Sequence, residues 1–236
     1  MIVTVIHVIA GSVVMLVAPA ALLVRKGGTW HRTWGHAFAI AMAVVLLSAS
    51  FMWESKGHLF LFVLSLVSAY LIFSGYRILR RRRRRERDGR DDAFDLAAAG
   101  LACMSGMWLV AIAFGARNEL MRSLAPIIGA LGVVAISFAA NDVRGLVRKP
   151  SRIGWLLAHF SAMIAAYISA VTAFVVINVH AVPMSLRWIV PSALGSLLIA
   201  TYSIRYRRLS LAKILRRFAF VAQPTKPLST TGSRHE

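Results

Sequence analysis

Long apolar segments recur along the sequence and restrict the folds that it can adopt. Seven of them reach the roughly 17–25 residues that an α-helix needs to cross a bilayer. Hydrophobic residues make up 58% of the chain, which is more than one water-soluble core of this size can bury. The sequence therefore predicts an all-α integral membrane protein in which residues 1–204 form a bundle of seven transmembrane helices. The predicted spans are 2–24, 36–53, 59–79, 94–115, 120–140, 153–178 and 187–204.

A run of six arginines separates the third and fourth spans. An arginine at the centre of a bilayer costs roughly 2.5–3.5 kcal/mol, so the run is expected to stay in water on the cytoplasmic side. With this loop inside, most of the 28 lysines and arginines fall on the same side, as the positive-inside rule requires. This predicts an N-terminus outside and a cytoplasmic C-terminus. We expect anionic lipid headgroups to be bound by Arg80, Arg81, Arg82, Arg83, Arg84 and Arg85.

The net charge of +19 is explained by this topology. Aromatic residues do not alternate with the arginines, so the stacking surface that single-stranded nucleic acid uses is missing and no nucleic-acid partner is expected. Apolar and basic residues alternate at near-helical spacing over residues 205–222, which predicts an amphipathic helix on the inner leaflet. Residues 223–236 are small and polar, and we expect them to be disordered.

Polar residues inside the spans are the most informative about function, because charge there is nearly absent. His7, His36 and His159 each share a helical face with alanines or other small residues, which predicts that all three point into the bundle. His31 and Asp142 lie on the same side of the membrane as His36 and His159. His7 lies near the opposite side, over about 10 Å from His159 by helix rise, so these two cannot bind one metal ion.

Several functions remain open for these five residues. Neutral imidazoles are ligands for transition metals and for haem iron, so a haem b or metal protein of membrane redox chemistry is one hypothesis. A proton-coupled carrier of a small solute is the second, and a scaffold without catalytic activity is the third. A buried histidine bonded to its neighbours is the commoner case, and His31 to His36 also fits an interfacial turn flanked by Trp30 and Trp34. Whether the protein is an enzyme stays open.

Four segments of the chain resemble those of bacterial multi-pass membrane proteins of unknown function. The resemblance implies a helical fold and a location in the bacterial inner membrane, and it supplies no mechanism. It covers most of residues 1–204, and the arginine run and the tail are not part of the resemblance. The four segments are His7-Val-Ile-Ala-Gly11, His31-Arg-Thr-Trp-Gly-His-Ala-Phe38, Ser74-Gly-Tyr-Arg77 and the stretch from His159 to Phe174 followed by Asn178.

Overall fold

The computed structural model describes residues 1–56, 59–83, 89–117, 119–148 and 153–221, and for some of these it describes the backbone alone (53–56, 59–61, 63, 82–83, 120–121 and 210–221). Over the described residues the chain forms seven α-helices and no strand. The helices are α1 Ile2–Leu23, α2 Thr29–Lys56, α3 Leu59–Arg83, α4 Gly89–Phe114, α5 Glu119–Val147, α6 Gly154–Asn178 and α7 Met184–Val221.

Six of these helices are long and apolar enough, within the described residues, to cross a membrane: α1, α2, α4, α5, α6 and α7. Large apolar side chains cover much of their outer surface, including Leu16, Leu101 and Leu197, which suits contact with lipid chains. The predicted all-helical, multi-pass architecture is therefore confirmed. A seventh crossing by α3 and the sidedness of the two termini stay predictions.

Three helix boundaries differ from those predicted. Helix α2 begins at Thr29, so the segment from His31 to His36 forms its first turns rather than an interfacial turn. Helix α3 continues into the arginine run as far as Arg83, and Arg84 and Arg85 lie outside the described residues. Helix α7 continues without a break to Val221, so 205–221 extend the seventh span, and the predicted disordered tail, 223–236, also lies outside the described residues.

Most contacts between helices are made by four pairs: α1 on α2, α3 on α6, α4 on α5 and α6 on α7. The α4–α5 pair, which we call the hairpin, meets the rest of the bundle chiefly along α3. Small side chains let the helices approach closely, since two apolar surfaces gain little from burial in a lipid solvent and associate through tight packing. Buried small residues include Ala99, Ala102, Ala135, Ala139, Ala162 and Ala166.

The two helices of the hairpin approach each other closely at two glycines, Gly106 and Gly132. A Cβ on Gly132 would lie 2.5 Å from the carbonyl oxygen of Gly106 and 2.8 Å from Cγ2 of Val110. We expect Gly132→Ala to destabilise the protein by about 1–3 kcal/mol, as overpacking does, measured as the unfolding midpoint in detergent. Gly100→Ala is the matched control, because a Cβ there meets nothing within 4 Å. An unchanged midpoint for Gly132→Ala would contradict this packing.

Candidate functional site

Charged side chains from three helices meet where α3 faces the hairpin. Arg77 and Arg81 lie one turn apart on α3, and Asp91 and Asp95 lie one turn apart on α4. Residues four apart share one face of a helix, so each pair presents two like charges in the same direction. Asp142 of α5 completes the set. We call these five residues the ion network.

Arg77 joins α3 to the start of α4. Its Nε donates a hydrogen bond to Asp95 Oδ1, and its Nη2 lies 3.3 Å from Asp91 Oδ1 and 3.1 Å from the Asp91 carbonyl oxygen. The guanidinium also lies over two aromatic rings, 5.9 Å from the centroid of Phe73 and 5.8 Å from that of Phe94. Carboxylates and ring faces together replace the water that the arginine loses.

Arg81 bridges the two helices of the hairpin. Its Nε lies 3.1 Å from Asp95 Oδ2 and its Nη2 lies 3.5 Å from Asp142 Oδ1. The Arg81–Asp95 contact is a charge contact without hydrogen-bond alignment, since neither atom has a hydrogen-bond partner among the described residues. The Tyr70 hydroxyl donates to Asp142 Oδ2 over 2.8 Å. Each of these side chains is thus held by at least one other.

Four of the five side chains of the ion network are nearly closed to water, and the fifth, Asp91, is 23% exposed. The side chains of Asp95 and Asp142 are 1% and 5% exposed, and those of Arg77 and Arg81 are 11% and 14% exposed. Desolvating charges is costly, and mutual attraction compensates only when every charge has a partner. The set holds three carboxylates and two guanidiniums, so it carries one net negative charge while all five are charged. Binding of one proton by a carboxylate would make the set neutral.

The predicted headgroup-binding arginines do not share one environment. Arg80 is exposed, whereas Arg81 points inward and is paired with Asp95 and Asp142. An arginine can leave water here because α4 and α5 offer carboxylates to it. The remaining four side chains of the run lie outside the described residues, and headgroup binding by the exposed part stays a prediction.

Two of the five sequence-selected residues, His159 and His31, lie near each other, and His159 contacts α3. His159 Nδ1 donates to the carbonyl oxygen of Gly75 over 2.8 Å, and this contact joins α6 to α3. His31 lies within electrostatic reach of His159, and its Nδ1 donates to the Ala21 carbonyl over 3.0 Å. Lys26 also donates to Ala21, and partial burial lowers the pKa of its ammonium. His31 and Lys26 thus cap the C-terminal end of α1.

His36 differs from the prediction that it faces the bundle interior. Its side chain is exposed, and Phe38, Ala41 and Met42 form the buried face of α2 instead. His36 Nδ1 donates to the Arg32 carbonyl over 2.7 Å, and its ring meets the edge of Tyr76 at 5.8 Å between centroids. The alanines on its face misled the prediction, because small residues occur at lipid-facing positions as well.

His7 stands apart from the other four residues. Its Nδ1 lies 2.9 Å from the Ser48 hydroxyl of α2. Ser48 is twelve residues beyond His36 on the same helix, which corresponds to about 18 Å at the rise of an α-helix. His7 therefore lies near the opposite end of the bundle from His36, His159 and Asp142.

The described residues do not assemble a metal centre: in that part of the chain no three His, Cys, Asp or Glu side chains come together as ligands. At His31, His36 and His159 the Nδ1 atom is bonded to a carbonyl, which leaves Nε2 as the nitrogen that a ligand would use. Asp142 is engaged by Arg81 and Tyr70 rather than by an imidazole. Binding of haem b or a transition metal stays a prediction for these histidines.

The sequence argument selected Asp142 but missed the ion network to which it belongs. Arg77 and Asp95 both fall inside predicted spans, where a charge is a functional candidate by default. Opposite charges spaced by four residues at the facing ends of successive helices were the available signal.

Comparison of the chain with protein-family models, with curated proteins and with solved structures finds no match. The functional argument therefore rests on the geometry of the ion network.

Proposed function

We propose that the protein is a proton-coupled carrier of a small solute, in which the hairpin moves against the remaining helices. The observation that supports this is the position of the ion network. Its buried charges cross the boundary between α3 and the hairpin rather than lying within one helix pair. Ionisable side chains at such positions in membrane proteins commonly form proton relays or substrate pathways.

The packing of the bundle suits a relative movement of this kind. The two helices of the hairpin pack tightly on each other and meet α3 at fewer points. Carriers alternate access to a site mainly by rocking one group of helices against another. The ion network then acts as the contact that holds the closed arrangement. A coupled proton must weaken that contact for transport and protonation to be linked.

Asp142 is the residue that best fits the proton-accepting role. Its two oxygens have different partners, Arg81 on one and the hydroxyl of Tyr70 on the other. Protonation would remove the negative charge that faces Arg81 and would turn an ion pair into a weaker hydrogen bond. Because Asp95 keeps contacts to Arg77 and Arg81, the hairpin would be released on one side while staying tethered on the other.

Electrical recording on a solid-supported membrane tests this function. Proteoliposomes are exposed to amino acids, small carboxylates and small amines in turn, with an imposed pH gradient. We expect at least one class to give a current whose size depends on the gradient. Asp142→Asn should abolish that current, because asparagine keeps the shape of the side chain but cannot exchange a proton.

Glu119→Gln is the matched control, since Glu119 is an exposed carboxylate at the start of α5. It removes the same charge from the same helix, and its current should equal that of the wild type. Currents that are equal in the wild type and in Asp142→Asn would rule out coupling through the ion network. A carboxylate that crosses with one proton carries no net charge, so proton movement is also followed with a pH-sensitive dye inside the vesicles. No solute-dependent current and no solute-dependent pH change with any class of solute would contradict the carrier function itself.

A further inference from the structure

A polar groove lies on the outer surface of the bundle, between α5 and the α6–α7 pair. Its volume is about 320 Å³. It exists because the hairpin packs on α3 and leaves the neighbouring side of α6 uncovered. Four polar side chains and one arginine line it: Ser137, Asn141, Ser161, Ser203 and Arg207.

These polar groups have spare hydrogen-bonding capacity. The Ser137 hydroxyl donates to the Val133 carbonyl of its own helix. No described residue forms a hydrogen bond or an ion pair with the side chains of Asn141, Ser161 or Arg207. A cationic side chain and several uncharged polar groups that converge without partners among the described side chains suit a ligand that carries a negative charge and further acceptors.

The groove is amphipathic along its length. Arg207 lies near the end of the bundle that also carries the arginine run, while Phe138 and Leu157 add apolar walls alongside the polar residues. Ser137 lies one turn further from that end than Asn141, which corresponds to about 6 Å of depth. Ser203 likewise lies one turn further from that end than Arg207, so the groove runs from Arg207 toward the bilayer interior with polar and apolar side chains at similar depths.

We infer that this groove binds an anionic phospholipid, with the phosphate at Arg207 and the ester region at the serines and Asn141. An isolated phosphate ion would leave the apolar walls empty. A phospholipid fills both parts, and it is the molecule that surrounds this face of a membrane-spanning bundle. Juxtamembrane basic residues attract anionic headgroups. The site is separate from the ion network and does not depend on the proposed transport.

Native mass spectrometry of the full-length protein tests the site, with phosphatidylglycerol and phosphatidylcholine of identical chains as the probes. We expect phosphatidylglycerol to be retained in preference. Arg207→Gln should reduce its apparent affinity about fivefold, the effect of about 1 kcal/mol from one interfacial arginine. Ser161→Leu should lower it as well, because a larger apolar side chain fills the groove while every charge stays in place.

Arg208→Gln is the matched control, since it removes the same charge from an exposed neighbour outside the groove. It should leave the preference for phosphatidylglycerol unchanged. Equal losses in Arg207→Gln and Arg208→Gln would show general surface attraction and overturn the inference. Retention of both lipids alike would do the same. Displacement of the lipid by millimolar inorganic phosphate would mean that the groove takes the free ion, which also contradicts the proposal.

Discussion

Asp95→Ala is expected to cost about 3–5 kcal/mol of stability, the loss that follows when one partner of a buried ion pair is removed. Asp95 contacts both arginines of α3 and is 1% exposed. Without Asp95, Arg77 keeps its contact with Asp91 and Arg81 keeps its contact with Asp142. The carboxylate that lies between the two arginines is lost. The midpoint of unfolding in mixed detergent micelles measures the effect, and Glu119→Ala should shift it by less than about 1 kcal/mol as an exposed carboxylate.

A second variant keeps this prediction testable if Asp95→Ala does not fold. Asp95→Asn removes the charge and keeps the shape of the side chain, and Arg81→Met removes one guanidinium that faces it. The loss of stability in the double variant should be smaller than the sum of the two single losses, because Arg81 and Asp95 lie in direct contact. A double loss equal to that sum within about 0.5 kcal/mol would mean that Arg81 and Asp95 do not depend on each other and that the ion network is misassigned.

The sequence was sufficient to predict the class of fold, because the length of each apolar segment is set by the thickness of a bilayer. The burial of individual side chains was harder to predict. The small residues that accompany His159, among them Ala162 and Ala166, are buried, and the same reasoning placed His36 on the wrong side of α2. Alanine is neutral toward lipid and protein, so its position does not by itself identify the packed face.

The ion network shows a second limit of prediction from the sequence. The cost of placing arginine in a membrane was treated as a property of one residue, and this assigned the whole run to water. Arg81 instead turns toward Asp95 and Asp142, and the helix carries it there because α3 continues to Arg83. The carboxylates of α4 and α5 offset the cost of burying this arginine. They come close to it only through tertiary packing, which cannot be inferred from one segment of the sequence at a time.

The lone cysteine is a natural reporter of hairpin movement. Cys103 of α4 is half-buried against a small cluster formed by Ala99, Ala102 and Ala139, and Tyr70 of α3 packs against the same cluster. We expect a movement of the hairpin away from α3 to remove Tyr70 from this cluster and to make Cys103 more accessible. We expect Asp142→Asn to increase the rate at which N-ethylmaleimide labels Cys103 in detergent by about tenfold, which corresponds to a shift of about 1.4 kcal/mol in the opening equilibrium.

The pH dependence of the same reaction separates opening from general loosening of the fold. The proposed carrier binds its coupled proton at Asp142 and thereby removes the charge that faces Arg81, so labelling relative to free cysteine should rise as the pH falls in the wild type. In Asp142→Asn this ratio should be high at every pH, because residue 142 has no carboxylate left to bind a proton. A wild-type ratio that is flat with pH, or an Asp142→Asn rate equal to that of Glu119→Gln, would mean that the ion network does not hold the hairpin closed.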